Sequence, residues 1–316
     1  MSSPIAGATM PDPSAGWAAP GSARSLTMRD FRLFQALIQR EAGIHLSDAK
    51  RVLVEGRLAR RLRELGLGFA AYYSLVAADE QERVRMLDCI STNETHFFRE
   101  PRQFDFLQDH VFPEWQAQAD AGRRTRRIRV WSAGCSTGEE PYSVAMAFLD
   151  RFPAASGWEI DILATDISTR VLDRARAAVW PVEKAKEIPA PLLKAFMLRG
   201  TGPEEGRMKA GREIRARVRF ERLNLNAEPF ALRERFDLVF CRNVLIYFDA
   251  PCKARVLDRL LDRLDEQGYL FLGHAETVTG LTARTVGAGP TVYAHAGRPS
   301  LNMAASSRAT ASGGRA

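Results

Sequence analysis

The spacing of apolar residues divides the chain into a helical first part and an alternating second part. Over residues 26–98 apolar side chains recur three and four positions apart, which is typical of amphipathic helices. Over residues 128–297 short apolar runs alternate with helix-like segments, as in a parallel sheet with helices on both faces. The pattern therefore predicts an all-α N-terminal domain, a basic linker over 99–127 and an α/β domain.

An interruption of this alternation predicts a small inserted β subdomain. The turn-rich stretch RGTGPEEG (residues 199–206) lies within the interruption, and the insertion is expected at about residues 190–220. We predict a strand of the insertion from Glu213 to Phe220. The main sheet then resumes with a strand that reaches Leu225 and a continuous apolar run, FDLVFC (residues 236–241), which is typical of a buried central strand.

The two ends of the chain differ in composition from the rest. Residues 1–25 and 298–316 are rich in alanine, serine and glycine and poor in large apolar side chains. Segments of this composition cannot bury enough apolar surface to fold. Both are therefore predicted to be disordered tails.

The overall composition limits the class of protein. The chain has 316 residues, of which 46% are hydrophobic, which is enough for two packed domains. No apolar run approaches roughly 18 residues and the N-terminus lacks a signal-peptide pattern, so a soluble cytoplasmic protein is expected. The four cysteines are widely separated, which argues against disulfides and a zinc site. The net charge of +7 indicates an acidic partner and leaves nucleic acid, a membrane and an acidic protein surface open.

The candidate ligand site begins in RVWSAGCSTGEEPY (residues 129–142), which predicts a strand, a tight turn and a helix start. Gly134 and Gly138 carry no Cβ, so they allow a ligand to approach the backbone closely. A phosphate-binding turn keeps anions away from its helix N-terminus, but Glu139 and Glu140 stand there. A cationic cofactor is therefore favoured over a polyphosphate, and S-adenosylmethionine is the candidate.

Polar residues also follow two other predicted strands. Asp166 ends the second strand, where a carboxylate can accept two hydrogen bonds from the ribose hydroxyls of an adenosine ligand. Arg242, Asn243 and Tyr247 follow the central strand, and residues at that place face the ligand crevice of an open α/β sheet. These residues are therefore predicted to lie around one ligand.

The second predicted helix carries a cluster of arginines. Several lie one turn apart, so their guanidinium groups can project together toward an acidic surface. The arginines assigned to this surface are Arg57, Arg60, Arg61 and Arg63. A solvated basic face without a partner is the alternative interpretation.

Six segments, in order, resemble the CheR family of chemotaxis-receptor glutamate O-methyltransferases, which use S-adenosylmethionine. They are STNETHFFRE, VWSAGCSTGEEPYS, ATDIS, RGTGPEEG, FDLVFCRNVLIYFD and LFLGHAE. The resemblance spans residues 26–297. It implies a Rossmann-like class I S-adenosylmethionine-dependent methyltransferase domain with a small inserted β subdomain, preceded by an all-α N-terminal domain.

The resemblance also implies roles for individual residues. Those implied for cofactor binding are Asn93, Thr95, Arg99, Gly134, Glu140, Asp166, Asn224, Leu225, Arg242 and Asn243. Arg99 and Tyr247 match the family's positions closest to the transferred methyl group and are the implied catalytic residues. The arginines of the second helix match the surface that meets the helical bundle of a receptor, and RGTGPEEG resembles a subdomain that docks a receptor's C-terminal peptide.

The implied reaction forms glutamate methyl esters on chemotaxis receptors and leaves S-adenosylhomocysteine. A glutamate side chain has a pKa of about 4.3 and is ionised at neutral pH, so the transfer needs orientation rather than a general base. A monomer without metal, nucleic acid or inserted membrane segment is expected. Two alternatives remain, a non-catalytic S-adenosylmethionine-binding regulator and, less favoured, a nucleic-acid methyltransferase.

Overall fold

The computed structural model describes residues 25–298, so the predicted tails lie outside the described residues except for Ser25 and Arg298. Arg298 belongs to the folded part, because it forms an ion pair with Glu114 (2.6 Å) and its guanidinium lies 3.8 Å from the centroid of the Tyr269 ring. The fold thus continues one residue past the predicted boundary at 297. Within residues 25–298 no helix has both the length and the apolar character needed to cross a bilayer.

Four helices form the N-terminal part. They are α1 (Met28–Ala42), α2 (Arg51–Leu65), α3 (Phe69–Ala78) and α4 (Glu80–Ile90). Thr27 caps α1 by accepting a hydrogen bond from the Asp30 N–H (3.1 Å), and Gly43 ends it with a φ of 72°. The four helices share one apolar core, in which Phe34 packs against Phe69 and Tyr72. The prediction of an all-α N-terminal domain is confirmed.

The predicted linker over 99–127 is mainly helical. It contains α5 (Pro101–Phe106), a π-helical turn (Leu107–Val111) and α6 (Phe112–Asp120). Apolar residues at helical spacing bury one face of these helices against the sheet, and Trp115 packs against Phe148. This segment therefore belongs to the core of the second domain rather than to a connection between two domains.

The second domain is built on a central sheet covered by helices. The strands of the described chain are β1 (Arg127–Ala133), β2 (Glu159–Asp166), β3 (Val179–Pro181), β4 (Met197–Arg199), β5 (Arg207–Ala210), β6 (Val218–Arg222), β7 (Phe236–Cys241), β8 (Leu264–Leu272), β9 (Thr285–Gly289) and β10 (Val292–His295). The helices are α7 (Glu139–Arg151), α8 (Thr169–Ala177), α9 (Ala190–Phe196), α10 (Arg212–Arg215) and α11 (Ala250–Arg263).

Seven strands form the central sheet in the order β6-β2-β1-β7-β8-β10-β9. The first five strands are parallel to one another. β10 pairs antiparallel with β8, and β9 pairs antiparallel with β10. Every residue of β7 is buried, as predicted for a central strand, and apolar clusters cover both faces of the sheet. The carboxyl ends of the parallel strands therefore meet at one edge, and the predicted α/β class is confirmed.

The insertion is a three-stranded antiparallel sheet in the order β3-β5-β4. It spans residues 179–210 and so lies earlier in the chain than the predicted 190–220. The strand predicted from Glu213 to Phe220 was wrong in its start and in its sheet, because only residues 218–220 of that range are in a strand. Residues 212–215 form α10, and β6 belongs to the edge of the central sheet, because Val218 and Phe220 pack on its core and β6 pairs in parallel with β2.

Candidate active site

A cavity of about 480 Å³ opens at the carboxyl ends of the parallel strands, where α1 and α2 meet the sheet. The predicted site residues that line it are Asn93, Thr95, Arg99, Gly134, Glu140, Asp166, Asn224, Leu225, Arg242, Asn243 and Tyr247. Arg57 of the predicted docking surface also lines it. The volume is in the range of small-molecule sites. Residues that are far apart in the chain meet here because parallel strands present their carboxyl ends together.

The glycine-rich turn between β1 and α7 packs tightly against the segment that follows β7. Gly134 has a φ of 86° and Gly138 a φ of 96°, which L side chains rarely adopt. A Cβ on residue 134 would lie 2.4 Å from Cγ2 of Val244. The close approach that the sequence analysis assigned to a ligand is therefore made, at this point, by a side chain of the protein.

The carboxylate of Asp166 is buried at the end of β2, with an exposed fraction of 8%. Its two oxygens accept hydrogen bonds from the N–H groups of Ser136 and Ser168, both at 2.9 Å. Burial raises the pKa of Asp166 above its ordinary value, although these hydrogen bonds oppose the shift. Each oxygen keeps a lone pair, so the carboxylate can still accept bonds from a ligand.

Each of the two glutamates that begin α7 has its own cation. Glu140 accepts hydrogen bonds from Arg242 Nε (2.6 Å) and Ser132 Oγ (2.6 Å) in a buried ion pair. Glu139 lies 2.8 Å from the Nζ of Lys184. The negative charge at this helix start, from which we inferred a cationic ligand, is therefore balanced within the protein.

The segment 93–99 connects the two domains and is held through its main chain. Ser136 Oγ donates to the carbonyl of Asn93 (2.9 Å), and Lys184 Nζ donates to the carbonyl of Thr95 (2.9 Å). The side chains of Asn93 and Thr95 need not hold the segment in place. They are therefore available to a ligand in the cavity.

Arg99 stands in an unusual stretch of backbone. Its neighbours Phe98 and Glu100 have φ values of 50° and 61°, in the left-handed region that non-glycine residues rarely occupy. The Arg99 guanidinium makes one long contact with the carbonyl of Glu94 (3.4 Å), and it forms no ion pair with any carboxylate of residues 25–298. Strained backbone of this kind is often found at functional sites.

The segment after β7 carries Asn243 and Tyr247 to the cavity. Asn243 has a φ of 60°, and its buried Oδ1 has no hydrogen-bond partner within residues 25–298. The main-chain carbonyl of Tyr247 accepts from the N–H of His45 (2.7 Å), so this segment also joins the N-terminal domain. Asn224 makes a similar connection, because its Nδ2 donates to the carbonyl of Glu41 (2.6 Å).

The four arginines assigned to docking do not form one surface. Arg57 faces the cavity and binds the carbonyl of Ile90 and the Oγ1 of Thr92 (2.7 Å). Arg61 binds both oxygens of Glu82 on α4, at 2.7 and 2.6 Å. The remaining two are exposed to solvent, namely Arg60 and Arg63.

The ion pair between Arg61 and Glu82 is a structural element of the N-terminal domain. Glu82 is 2% exposed and also accepts a hydrogen bond from the Tyr72 hydroxyl (3.0 Å). Its hydrogen bond with Arg61 is the main reason why the pKa of Glu82 is lowered to about 2. Arg61 is therefore removed from the docking surface.

Several residues around the cavity were not identified by the sequence analysis. Leu53, Ile246 and Lys50 lie at its rim, and Leu53 and Ile246 are exposed apolar side chains. Lys184, which holds Thr95, comes from the base of the insertion. Only Ile246 lies inside a quoted motif, and the other contacts depend on how distant elements pack.

Comparison with known proteins gives consistent matches over both domains. Residues 93–292 match the family model described as CheR methyltransferase, SAM binding domain, and residues 29–91 match the model described as CheR methyltransferase, all-alpha domain. A chemotaxis protein methyltransferase of Escherichia coli is 40% identical over 274 residues, covering 85% of this chain and 92% of that protein. Chemotaxis protein methyltransferase 2 of Pseudomonas aeruginosa is 39% identical over 271 residues, covering 85% and 94%.

Proposed function

The chain belongs to the CheR methyltransferase family, and we propose that it methylates glutamate side chains of chemotaxis receptors with S-adenosylmethionine as the methyl donor. The observation that carries the proposal is that one cavity is lined by the polar residues at the carboxyl ends of the strands. The products are a glutamate methyl ester and S-adenosylhomocysteine.

The residues around the cavity fit S-adenosylmethionine. Asn243 lines the cavity, and its side-chain amide carries both a hydrogen-bond donor and an acceptor for the polar ends of the cofactor. The carboxylate of Asp166 suits a ribose diol, and the side chains of Asn93 and Thr95 are available for further hydrogen bonds. Arg242 and Glu140 form a neutral buried pair that supports this site from below. We assign contact with the cofactor to Asn93, Thr95, Gly134, Asp166, Asn224, Leu225 and Asn243, and support of the site to the Arg242–Glu140 pair.

Bound S-adenosylmethionine supplies a methyl group attached to a positively charged sulfur. The tasks of the protein are to bind the acceptor carboxylate, orient it and exclude water. Arg99 is free to attract this carboxylate, because no carboxylate of residues 25–298 pairs with it. The Tyr247 hydroxyl also makes no hydrogen bond within that range and is assigned to orienting the acceptor. Leu53 and Ile246 at the rim are placed to cover the reacting groups once a substrate docks.

We propose that the partner is the cytoplasmic helical bundle of a chemotaxis receptor and that the protein acts in the cytoplasm as a monomer. The exposed Arg60 and Arg63 of α2 are the docking residues that remain after Arg57 and Arg61 are excluded. In the insertion, β4 pairs with β5 on one side only and exposes Leu198. Its other edge is suited to adding a strand from a receptor's C-terminal peptide.

The test is transfer of radiolabelled methyl groups to membranes that contain chemotaxis receptors. The expected product is a base-labile label on the receptor that disappears when the candidate glutamates are changed to alanine. Arg99→Ala should lower the rate by roughly 100-fold, the scale expected for a misplaced acceptor. Arg102→Ala is the matched control, because Arg102 is exposed on α5 near Arg99 and does not line the cavity.

Two results would contradict the proposal, the first in the role given to Arg99 and the second in the reaction itself. One is equal activity of Arg99→Ala and Arg102→Ala, which would remove Arg99 from the site. The other is the absence of label on receptors although S-adenosylhomocysteine binds in calorimetry. That second outcome would favour the regulator interpretation.

A further inference from the structure

The motif LFLGHAE (residues 270–276) contacts the segment that follows β7, although the two are separated in the sequence. Its last residue, Glu276, is 6% exposed and does not line the cavity. No lysine, arginine or histidine of residues 25–298 forms an ion pair with it. Its carboxylate instead binds backbone N–H groups of two segments of the chain.

The N–H groups come from the segment that carries Asn243 and Tyr247. Oε2 of Glu276 accepts from the N–H of Asn243 (2.8 Å) and from that of Gly273 (2.6 Å). Oε1 accepts from the N–H of Ile246 (3.3 Å). Hydrogen bonds from N–H groups to a carboxylate are stronger than those between neutral groups. One side chain therefore binds this segment at two points, Asn243 and Ile246, the second of which directly precedes Tyr247.

Two glycines hold the same segment from opposite sides. A Cβ on Gly273 would lie 2.8 Å from Nδ2 of Asn243 and 2.9 Å from its backbone nitrogen. On the other side, Val244 occupies the space next to Gly134. The segment is thus enclosed between two backbones and bound by Glu276. This support maintains the left-handed conformation of Asn243, which an unsupported asparagine would leave readily.

We propose that Glu276 is a positioning residue of the methyl-transfer site, which holds Asn243 and Tyr247 in the orientation that binds the cofactor and the acceptor. This inference rests on the proposed function. Glu276 touches neither reactant. It acts through the main chain of residues 243–246, and the quoted motif LFLGHAE supplies both the carboxylate and the glycine that this contact requires.

The test compares Glu276→Gln with Asp237→Asn. The glutamine keeps the size of the side chain but replaces one oxygen with an NH2 group, which turns a donor toward a backbone N–H group. Asp237 is a matched control at the opposite end of β7, because its carboxylate is also buried and accepts from the Arg129 N–H (2.7 Å). Both substitutions should lower the thermal midpoint.

Hydrogen exchange of the peptide 242–248 is the first measurement, because it needs no substrate. Exchange should become at least about 10-fold faster in Glu276→Gln and stay unchanged in Asp237→Asn, as expected for loss of a local restraint. In methyl transfer, kcat of Glu276→Gln should fall by about 10-fold or more, the scale of a misplaced group, with a smaller change in KM for S-adenosylmethionine. Asp237→Asn should keep both constants.

The proposal is overturned if exchange in this peptide is the same in wild type and Glu276→Gln, or if both variants lose kcat equally. Gly273→Ala provides a second variant should Glu276→Gln fold poorly, because its Cβ would lie 2.8 Å from Nδ2 of Asn243 and 2.9 Å from Oε2 of Glu276 and so disturbs their contact. It should give the same faster exchange. If the wild-type protein transfers no methyl group to receptors, the proposed function fails, while the exchange measurement still decides the role of Glu276.

Discussion

Replacing Gly134 with alanine tests whether the glycine-rich turn serves packing within the protein as well as ligand approach. Two costs follow from the structure. The φ of 86° costs an L residue about 1–2 kcal/mol. The new Cβ would also lie 2.4 Å from Cγ2 of Val244, and overpacking of this kind costs about 1–3 kcal/mol. The free energy of unfolding should therefore fall by about 2–5 kcal/mol, a large part of the usual total.

The measurement is urea denaturation of Gly134→Ala beside Gly66→Ala. Gly66 has a comparable φ of 67°, but nothing lies within 4 Å of the position that its Cβ would take. Gly66→Ala therefore shows the backbone cost alone, about 1–2 kcal/mol. The difference between the two variants isolates the contact with Val244.

A double mutant completes the test. Adding Val244→Ala to Gly134→Ala removes the methyl group that collides with the new Cβ, so part of the lost stability should return. Gly134→Ala should also weaken S-adenosylhomocysteine binding, since Val244 adjoins Asn243 at the cavity, and the double mutant should regain part of that affinity. The reasoning is refuted if Gly134→Ala costs no more than Gly66→Ala, or if Val244→Ala adds its own loss without any recovery.

Two further predictions concern stability and pH. Arg61→Ala should lower the free energy of unfolding at pH 7 by about 3 kcal/mol, because it leaves the buried Glu82 carboxylate less paired. Arg60 is exposed, so Arg60→Ala should raise the KM for the receptor and change the free energy of unfolding little. Glu82 has a lowered pKa, so this stabilisation is present above the ordinary value of 4.5 and is lost as pH falls toward 2, which denaturation over that range would reveal. Burial raises the pKa of Asp166, so calorimetric affinity for S-adenosylhomocysteine should begin to fall at a higher pH than for an ordinary aspartate, and Asp166→Asn should abolish this pH dependence.

The sequence predicted which residues lie at the site where their position depends only on the end of a strand. Asp166 and Arg242 each come directly after an apolar run, and parallel strands necessarily present such residues at one edge. The direction of each side chain and its partners did not follow in the same way. Arg242 was expected to bind the cofactor, yet its guanidinium is bound to Glu140, which lies 102 positions earlier. Such a pairing depends on how α7 packs beside β7.

The arginines of α2 show the limit of helical spacing as a guide to function. The spacing correctly placed Arg57 and Arg61 one turn apart, but it could not indicate that α4 would present Glu82 to one of them. Arg61 does not belong to the predicted docking surface because it pairs with Glu82 inside the N-terminal domain, and Arg57 does not belong to it because it lines the cavity. The predicted boundaries of the insertion were wrong for a similar reason. The pattern of residues 213–220 does not indicate which sheet they join, and in the folded protein β6 pairs with β2 of the central sheet.

The balance of charges around the cavity bears on how the acceptor is held. Of the cations that line it, Arg242 is paired with Glu140 and Arg57 is bound to main-chain and hydroxyl groups. Arg99 is left to attract a glutamate, with the exposed Lys50 at the rim. A fully buried arginine would hold the carboxylate so tightly that its nucleophilic oxygen would be stabilised before reaction. Arg99 is half-buried, so solvent weakens this attraction, and the acceptor can be drawn in while it remains reactive.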